Sequence, residues 1–187
     1  MSQDLTEQWN AQLDAVRART AEPGLVALDD LRARSGAEFF RALGNGELPM
    51  PHIGETLEFW PVEWEVGRMV FQGTPHVRHY NPIGSVHGGW IAAILDSAVG
   101  CAVHSTLAKG TGYTTVELKV NYVRAVTTAT GPLRAEGKVI HVGKQLATAE
   151  GRLHDARGEL YAHASTTCLV FPLPAPDRSV TATHRSK

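Results

Sequence analysis

Cysteine is scarce in this chain. Cys101 and Cys168 are its only two, too few for a disulfide framework and in no metal-ligand spacing. Charge of one sign is lacking as well. Eighteen Lys and Arg stand against nineteen Asp and Glu, a formal net charge of −1, so no nucleic-acid footprint is expected. The N-terminal stretch holds Asp4 and Glu7 and no apolar core. It does not read as a secretory signal, and a cytoplasmic location is the expectation. Internal repeats are absent. What remains is an ordinary globular composition, 43% hydrophobic and 20% charged over 187 residues, enough for one sizeable core.

Leu5, Trp9, Leu13 and Val16 recur at helical spacing and predict a first amphipathic helix. Glu22-Pro23-Gly24 interrupts it, and Leu25 to Arg34 reads as a short second helix. Ser35-Gly-Ala-Glu38 has the capping-box pattern ahead of Phe39, Phe40 and Leu43. Gly44-Asn45-Gly46 then ends that helix. From Thr56 the pattern turns to strands. Leu57, Phe59, Val62, Trp64 and Val66 roughly alternate, Gly67 marks a turn, and Met69 to Thr74 returns. Thr114 to Val123 is the clearest strand. Its alternation puts Val116, Leu118, Val120 and Tyr122 on one face and Thr115, Glu117, Lys119 and Asn121 on the other. Three more strands, Leu133–Val142, Gln145–His154 and Glu159–Phe171, are separated by the short turns expected of antiparallel hairpins.

Between the two groups of strands runs the most informative segment. Asn81-Pro-Ile-Gly-Ser-Val-His-Gly-Gly leads into an apolar helix from Gly88 to Ala108 whose single charged residue is Asp96. The length approaches a membrane span, but an acid at its centre is expensive in lipid, so a helix buried in a protein core is expected. Packed on five or six antiparallel strands, it gives an α+β layout. The glycine pair leaves free backbone N–H groups at the positive end of the helix dipole. About two turns on sits a carboxylate that is costly to bury without a partner. Together they form a plausible catalytic pair.

Asn81-Pro-Ile-Gly84, His87-Gly88-Gly89 and Asp96 on the following helix resemble the hotdog-fold acyl-CoA thioesterases of the phenylacetate-degradation type. So do the strand Val116-Glu-Leu-Lys-Val-Asn-Tyr122-Val-Arg124, the Gly143-Lys144 hairpin and the Asp155-Ala-Arg-Gly158 turn. The resemblance covers roughly residues 52 to 171. It implies a curved sheet wrapped around the central helix. It also implies a homodimer joined sheet edge to sheet edge, or a tetramer of two such dimers, with active sites at the dimer interface. By the same resemblance Asn81, His87 and Gly88 come from one subunit and Asp96 and Thr115 from its neighbour. Residues 1–50 are then a helical extension, 51–173 the hotdog domain and 174–187 a loose tail.

The roles follow with bland alternatives beside them. The Gly88 N–H would stabilise the thioester oxyanion, or the glycine serves a tight turn. Asp96 would act as general base on water or as a nucleophile, with small neighbours Ala92, Ala93 and Gly100 leaving room for a ligand. His87 and Asn81 would order the turn and help hold the carbonyl, Asn81 equally being a turn-former before Pro82. Thr115 would lie near the attacking water or face solvent. Gly89, Arg124, Gly143 and Lys144 would bind coenzyme A, or be ordinary surface. Trp90 would shape the acyl pocket or sit in the core. His76 and His79 have a metal-like spacing that reads as coincidence, and no cofactor is expected. The alternatives to acyl-CoA hydrolysis are an enoyl-thioester hydratase or dehydratase, whose Asp-x-Asn-Pro-x-x-His type of motif is absent here, and a non-catalytic acyl-CoA binder.

Overall fold

The computed structural model describes residues 2–175; most of the expected tail lies outside the described residues. In chain order the elements are α1 (Ser2–Arg17), β1 (Ala21–Pro23), α2 (Leu28–Ala33), α3 (Gly36–Gly44), β2 (Pro49–Met50), α4 (His52–Leu57), β3 (Phe59–Glu65), β4 (Arg68–Gly73), α5 (Gly88–Ser105), β5 (Thr111–Tyr122), β6 (Leu133–Val142), β7 (Leu146–Asp155) and β8 (Leu160–Pro172). The main sheet has six strands in the order β3-β4-β6-β7-β8-β5, with every neighbouring pair antiparallel. This is the hotdog arrangement. β5 precedes β6 in the chain yet lies at the far edge, outside β8.

α5 is the filling. Ile94, Leu95, Ala98, Val99, Ala102 and Val103 are fully buried, because the sheet curls around an almost wholly apolar cylinder. That curl needs a close approach of sheet to helix. At Gly137 of β6 an added Cβ would stand 2.3 Å from the Ala98 carbonyl oxygen. Glycine there is a packing requirement between two backbones. α5 ends three residues before the expected Ala108. The Ser105 and Thr106 hydroxyls donate to the carbonyls of Ala102 and Val103, a local alternative to further helical bonds.

The N-terminal helices take different faces. α1 lies across the outer face of β3, β4 and β6, where Leu13 packs on Val62 and Val70. Beneath it Arg134 donates to Gln72, Glu63 and Gln12 at 3.0, 2.9 and 2.8 Å, with its guanidinium 4.4 Å over the Trp9 ring. This network covers polar groups that the outer face would otherwise present to water. α3 starts at the expected capping box, with both Ser35–Glu38 bonds formed. Its first residue abuts the C-terminal end of α5, Gly36 N–H donating to the Leu107 carbonyl.

Three elements differ from the sequence reading. β1 and β2 pair in parallel where only a break was expected. Residues 52–57 form α4, not the start of a strand. It stops because Glu58 turns into the left-handed region, at φ 56°, where an α-helix cannot continue.

Gly137→Ala is expected to lower stability by about 3 kcal/mol, an overpacking cost against rigid backbone. The urea midpoint should fall with an unchanged m-value. A midpoint within error of wild type would refute the close-approach account.

Candidate active site

The turn before α5 is built by Asn81. Its side-chain oxygen accepts from the N–H groups of Ile83 and Ser85 at 3.0 and 3.4 Å, and its amide donates to Ser85 Oγ. His87 caps the helix: its Nδ1 accepts from the Gly89 N–H at 2.8 Å. A ring nitrogen that accepts leaves the proton on the other one, so His87 Nε2–H is a free donor on an exposed side chain. The Gly88 N–H has no hydrogen-bond partner among the described residues. Two donors are thus offered at the positive end of α5.

Gly88 is also held from behind. Tyr122 donates from its hydroxyl to the Gly88 carbonyl at 3.0 Å. A Cβ on residue 88 would stand 3.1 Å from the tyrosine ring, a contact the ring relieves by a shift of a few tenths of an ångström. Gly88 and Tyr122 line a cleft of about 260 Å³ together with Ser85, Ile91 and Arg124. Sequence reasoning gave Tyr122 no role beyond strand alternation; nothing in the spacing points its hydroxyl at Gly88.

Asp96 is half-buried, not sunk in the core. Its Oδ1 accepts from Thr115 Oγ1 at 3.0 Å. This contact corrects the expected strand alternation. In the pairing of β5 with β8, Thr115 stands opposite Cys168 and Glu117 opposite Thr167, so Val116 is an extra, unpaired residue. Such a bulge shifts the phase of the strand by one. Tyr113 and Thr115 before it share the helix-facing side with Leu118, Val120 and Tyr122 after it, while Val116 points out, 57% exposed. The expected face of Val116 with Leu118 and of Thr115 with Glu117 is therefore broken at one position. The space expected beside Asp96 is partly filled too. Gly100 lacks a side chain where the Tyr113 ring and Thr115 Oγ1 pack, 3.2 and 3.7 Å from where its Cβ would be.

With this geometry in place, comparison with known proteins is informative. Residues 83–162 match the family model of the thioesterase superfamily. Over 113 residues the chain is 33% identical to a candidate esterase of Saccharolobus solfataricus, a match spanning 60% of this chain and 78% of that protein. The chain belongs to the thioesterase superfamily. A candidate esterase of Halobacterium salinarum is 41% identical over 69 residues, which span 36% of this chain and less than half, 44%, of that protein. A candidate thioesterase of Ralstonia eutropha, related to phenylacetic acid degradation, superposes with a TM-score of 0.64 at 26% identity, covering 73% of this chain and 99% of that one. The fold also matches a Streptococcus mutans protein solved with acetyl-CoA, at TM-score 0.56 and 23% identity over 63% of this chain and 91% of that one. The superfamily match begins at residue 83, so α1 to α4 lie outside it.

Within one chain the donors and the acid of this superfamily member do not meet. Eight residues of helix separate Gly88 from Asp96, about 12 Å at 1.5 Å per residue. Nor do the residues expected at coenzyme A come together. Arg124 sits at the Tyr161 end of β8, paired with Glu159 at 2.6 Å. Gly143, whose N–H donates to the Leu146 carbonyl, and Lys144 sit at the Leu169 end, about 26 Å away along the strand. Trp90 is buried, donates to the Leu57 carbonyl at 2.8 Å and stacks on His79. It is part of the core.

His76 and His79 flank Glu58, whose Oε2 lies 3.6 and 3.7 Å from their Nε2 atoms. His79 Nδ1 accepts from the His76 N–H, so its proton is on Nε2, which is then no metal ligand. Among the described residues no group of three or more His, Cys, Asp or Glu is arranged to hold a metal ion. No helix among them is long and apolar enough to cross a membrane.

One titration has a clear sign. Burial pushes the His104 imidazole down to about 4. An unfolded-chain histidine takes its proton near pH 6.5. Between those values the unfolded chain gains a proton that the native chain refuses, so stability should fall as pH drops from 6.5 to 4 and level off below, by at most about 3 kcal/mol. His104→Phe should flatten that part of the profile in urea titrations. Parallel profiles for variant and wild type would refute it.

Proposed function

We propose that this chain is an acyl-CoA thioesterase whose active site is completed by a second copy of itself. The observation that carries the reading is the Thr115–Asp96 hydrogen bond, on the partly open face of α5 and beside the unpaired edge strand β5. Asp96 and Gly88 are too far apart to act on one carbonyl within a chain. Edge-to-edge pairing of two β5 strands about a two-fold axis near their middle would carry the Tyr122 end of one copy to the Thr115 end of the other. A self-complementary interface of this kind is the commonest way to close a dimer. It also covers the edge of a twelve-residue strand, which would otherwise be open to aggregation.

In this site one copy supplies the Gly88 N–H, backed by the α5 dipole, for the oxygen of the thioester carbonyl. Its His87 Nε2–H is a second donor within the same turn, and Asn81 holds the turn in shape. The other copy supplies Asp96. It either removes a proton from water as that water attacks the carbonyl carbon, or attacks the carbon itself to give a mixed anhydride that water then opens. In both routes the carbon–sulfur bond breaks as the tetrahedral adduct collapses, the coenzyme A thiolate leaves and takes up a proton, and the products are a carboxylate and free thiol. The Thr115 hydroxyl orients the carboxylate by donating to Oδ1. Arg124 of the donor copy and the Gly143–Lys144 hairpin of the acid copy are the groups placed to meet the phosphates. The acetyl-CoA held by the Streptococcus mutans relative supports a coenzyme A thioester as the substrate class.

Thiol release from a panel of acyl-CoAs tests the reading. Asp96→Asn should cut kcat by about three orders of magnitude while leaving the fold intact, the scale expected for a lost base or nucleophile. Turnover unchanged in the folded variant would remove Asp96 from the chemistry. Single turnover in ¹⁸O-water separates the routes: label in Asp96 marks the anhydride.

Complementation tests the shared site. Gly88→Pro deletes the free N–H at a helix position where proline is tolerated. Mixed with Asp96→Asn, it should recover about a quarter of wild-type activity if sites are composite, since half of the dimers are hybrid and each hybrid has one intact site. No recovery on mixing would place both groups in one chain.

A further inference from the structure

A second cavity is walled largely by residues that precede the superfamily match. It measures about 440 Å³ and lies between the N-terminal segment and the C-terminal half of α5. Its floor is Cys101 and His104 of α5 with Tyr113 of β5. Its outer wall comes from Val26, Leu31, Phe39 and Leu43, and from the β2–α4 junction at Pro51. No Asp, Glu, Lys or Arg lines it. A nearly continuous ring contact, Phe39 to His104 at 4.8 Å and His104 to Tyr113 at 5.4 Å, joins the wall to the floor.

The cavity lies further along α5 than the proposed chemistry, with Gly100 and the Tyr113 ring between them. Gly100 follows Asp96 by one turn, and His104 by two, along one side of α5. On β5, Tyr113 and Thr115 are neighbours on the helix-facing side, and both pack on Gly100. A carbonyl held at Asp96 therefore has an apolar room beginning about 6–8 Å further along the helix axis.

We propose that residues 24–52 form the outer wall of the acyl pocket, and that this pocket selects uncharged apolar acyl groups much larger than acetyl. An apolar cavity of about 150 Å³ is enough for benzene, and this one is nearly three times that volume. Its titratable lining is neutral at pH 7 where burial acts on it. The Cys101 thiol is pushed up to about 12 and the Tyr113 phenol is raised, both by burial, while His104 is lowered. A charged acyl terminus would find no buried counter-ion there, the remaining histidine of the lining, His52, being exposed. Phe39, Phe40 and Leu43 then have a second task besides anchoring α3: they bring specificity to a site whose acid and donors belong to α5 and its N-terminal cap. This inference rests on the thioesterase reading.

The test compares acetyl-, octanoyl- and succinyl-CoA for the wild type and for Val26→Trp, which fills the cavity from its outer wall. Octanoyl-CoA should be preferred over both others by about tenfold or more in kcat/KM. Val26→Trp should erase that preference by lowering octanoyl-CoA turnover while acetyl-CoA turnover stays within about twofold. Should the variant fail to fold by circular dichroism, Leu31→Trp fills the same space from α2. A folded filling variant that keeps the octanoyl preference overturns the proposal, as does a wild type indifferent to acyl size. Release of thiol from no acyl-CoA at all would instead defeat the thioesterase reading. Binding of S-octyl-CoA, a thioether that is not hydrolysed, then reads the cavity directly: binding that Val26→Trp abolishes supports the pocket, and absence of binding overturns it.

Discussion

One extra residue in β5 decides what the rest of the site can be. A strand alternates its side chains, so with Val116 in regular pairing Thr115 and Leu118 would sit on opposite faces. With Val116 bulged out, Tyr113 and Thr115 join Leu118, Val120 and Tyr122 on the side that meets α5. Thr115 then reaches Asp96, Tyr113 fills the notch at Gly100, and Tyr122 at the far end braces Gly88. The strand touches the helix at three levels and orients both of the groups proposed for the chemistry. A bulge at a sheet edge that re-aims side chains next to a site is a recurrent device.

The helix and sheet impose a complementary constraint. α5 must be surrounded to hide its apolar surface, and the sheet can wrap it only where glycine lets backbone approach backbone, as at Gly137. Five strands and a core helix are then committed to packing. What remains open is the edge strand, the polar turn at one end of α5 and the small-residue face that carries Asp96. The proposed site draws on those surfaces.

The N-terminal segment divides its work by face. α1 covers the outside of β3, β4 and β6 and satisfies Arg134 and Gln72. Residues 24–52 instead reach the end of α5 from the inner side, held there by the parallel β1–β2 pair and by the Gly36 contact with Leu107. Small-residue helix faces are generic. Here an aromatic wall is brought to one of them from a separate segment.

Much of this was legible in the order of residues. The 3.6-residue recurrence of Leu5, Trp9, Leu13 and Val16, the Ser35–Glu38 box and the glycine-marked hairpins are local patterns, and local hydrogen bonding and burial realise them directly. The isolation of Asp96 in an apolar run and the His-Gly-Gly before it marked the candidate site, since charge in such a run is too costly to be idle. Three things were not legible. α4 has no strong periodicity and exists because Glu58 accepts a left-handed turn. The bulge at Val116 leaves no trace in composition, because Val is as good in a regular strand as in an irregular one; only the register with β8 reveals it. The separation of Arg124 from Lys144, and of Gly88 from Asp96, depends on strand order and helix rise. Sequence by itself therefore determined most of the elements, the fold class and the residues to watch, because each follows from nearby neighbours. Tertiary structure alone decided which faces they present, what they touch and which of them stay apart, because those depend on contacts between residues far apart in the chain.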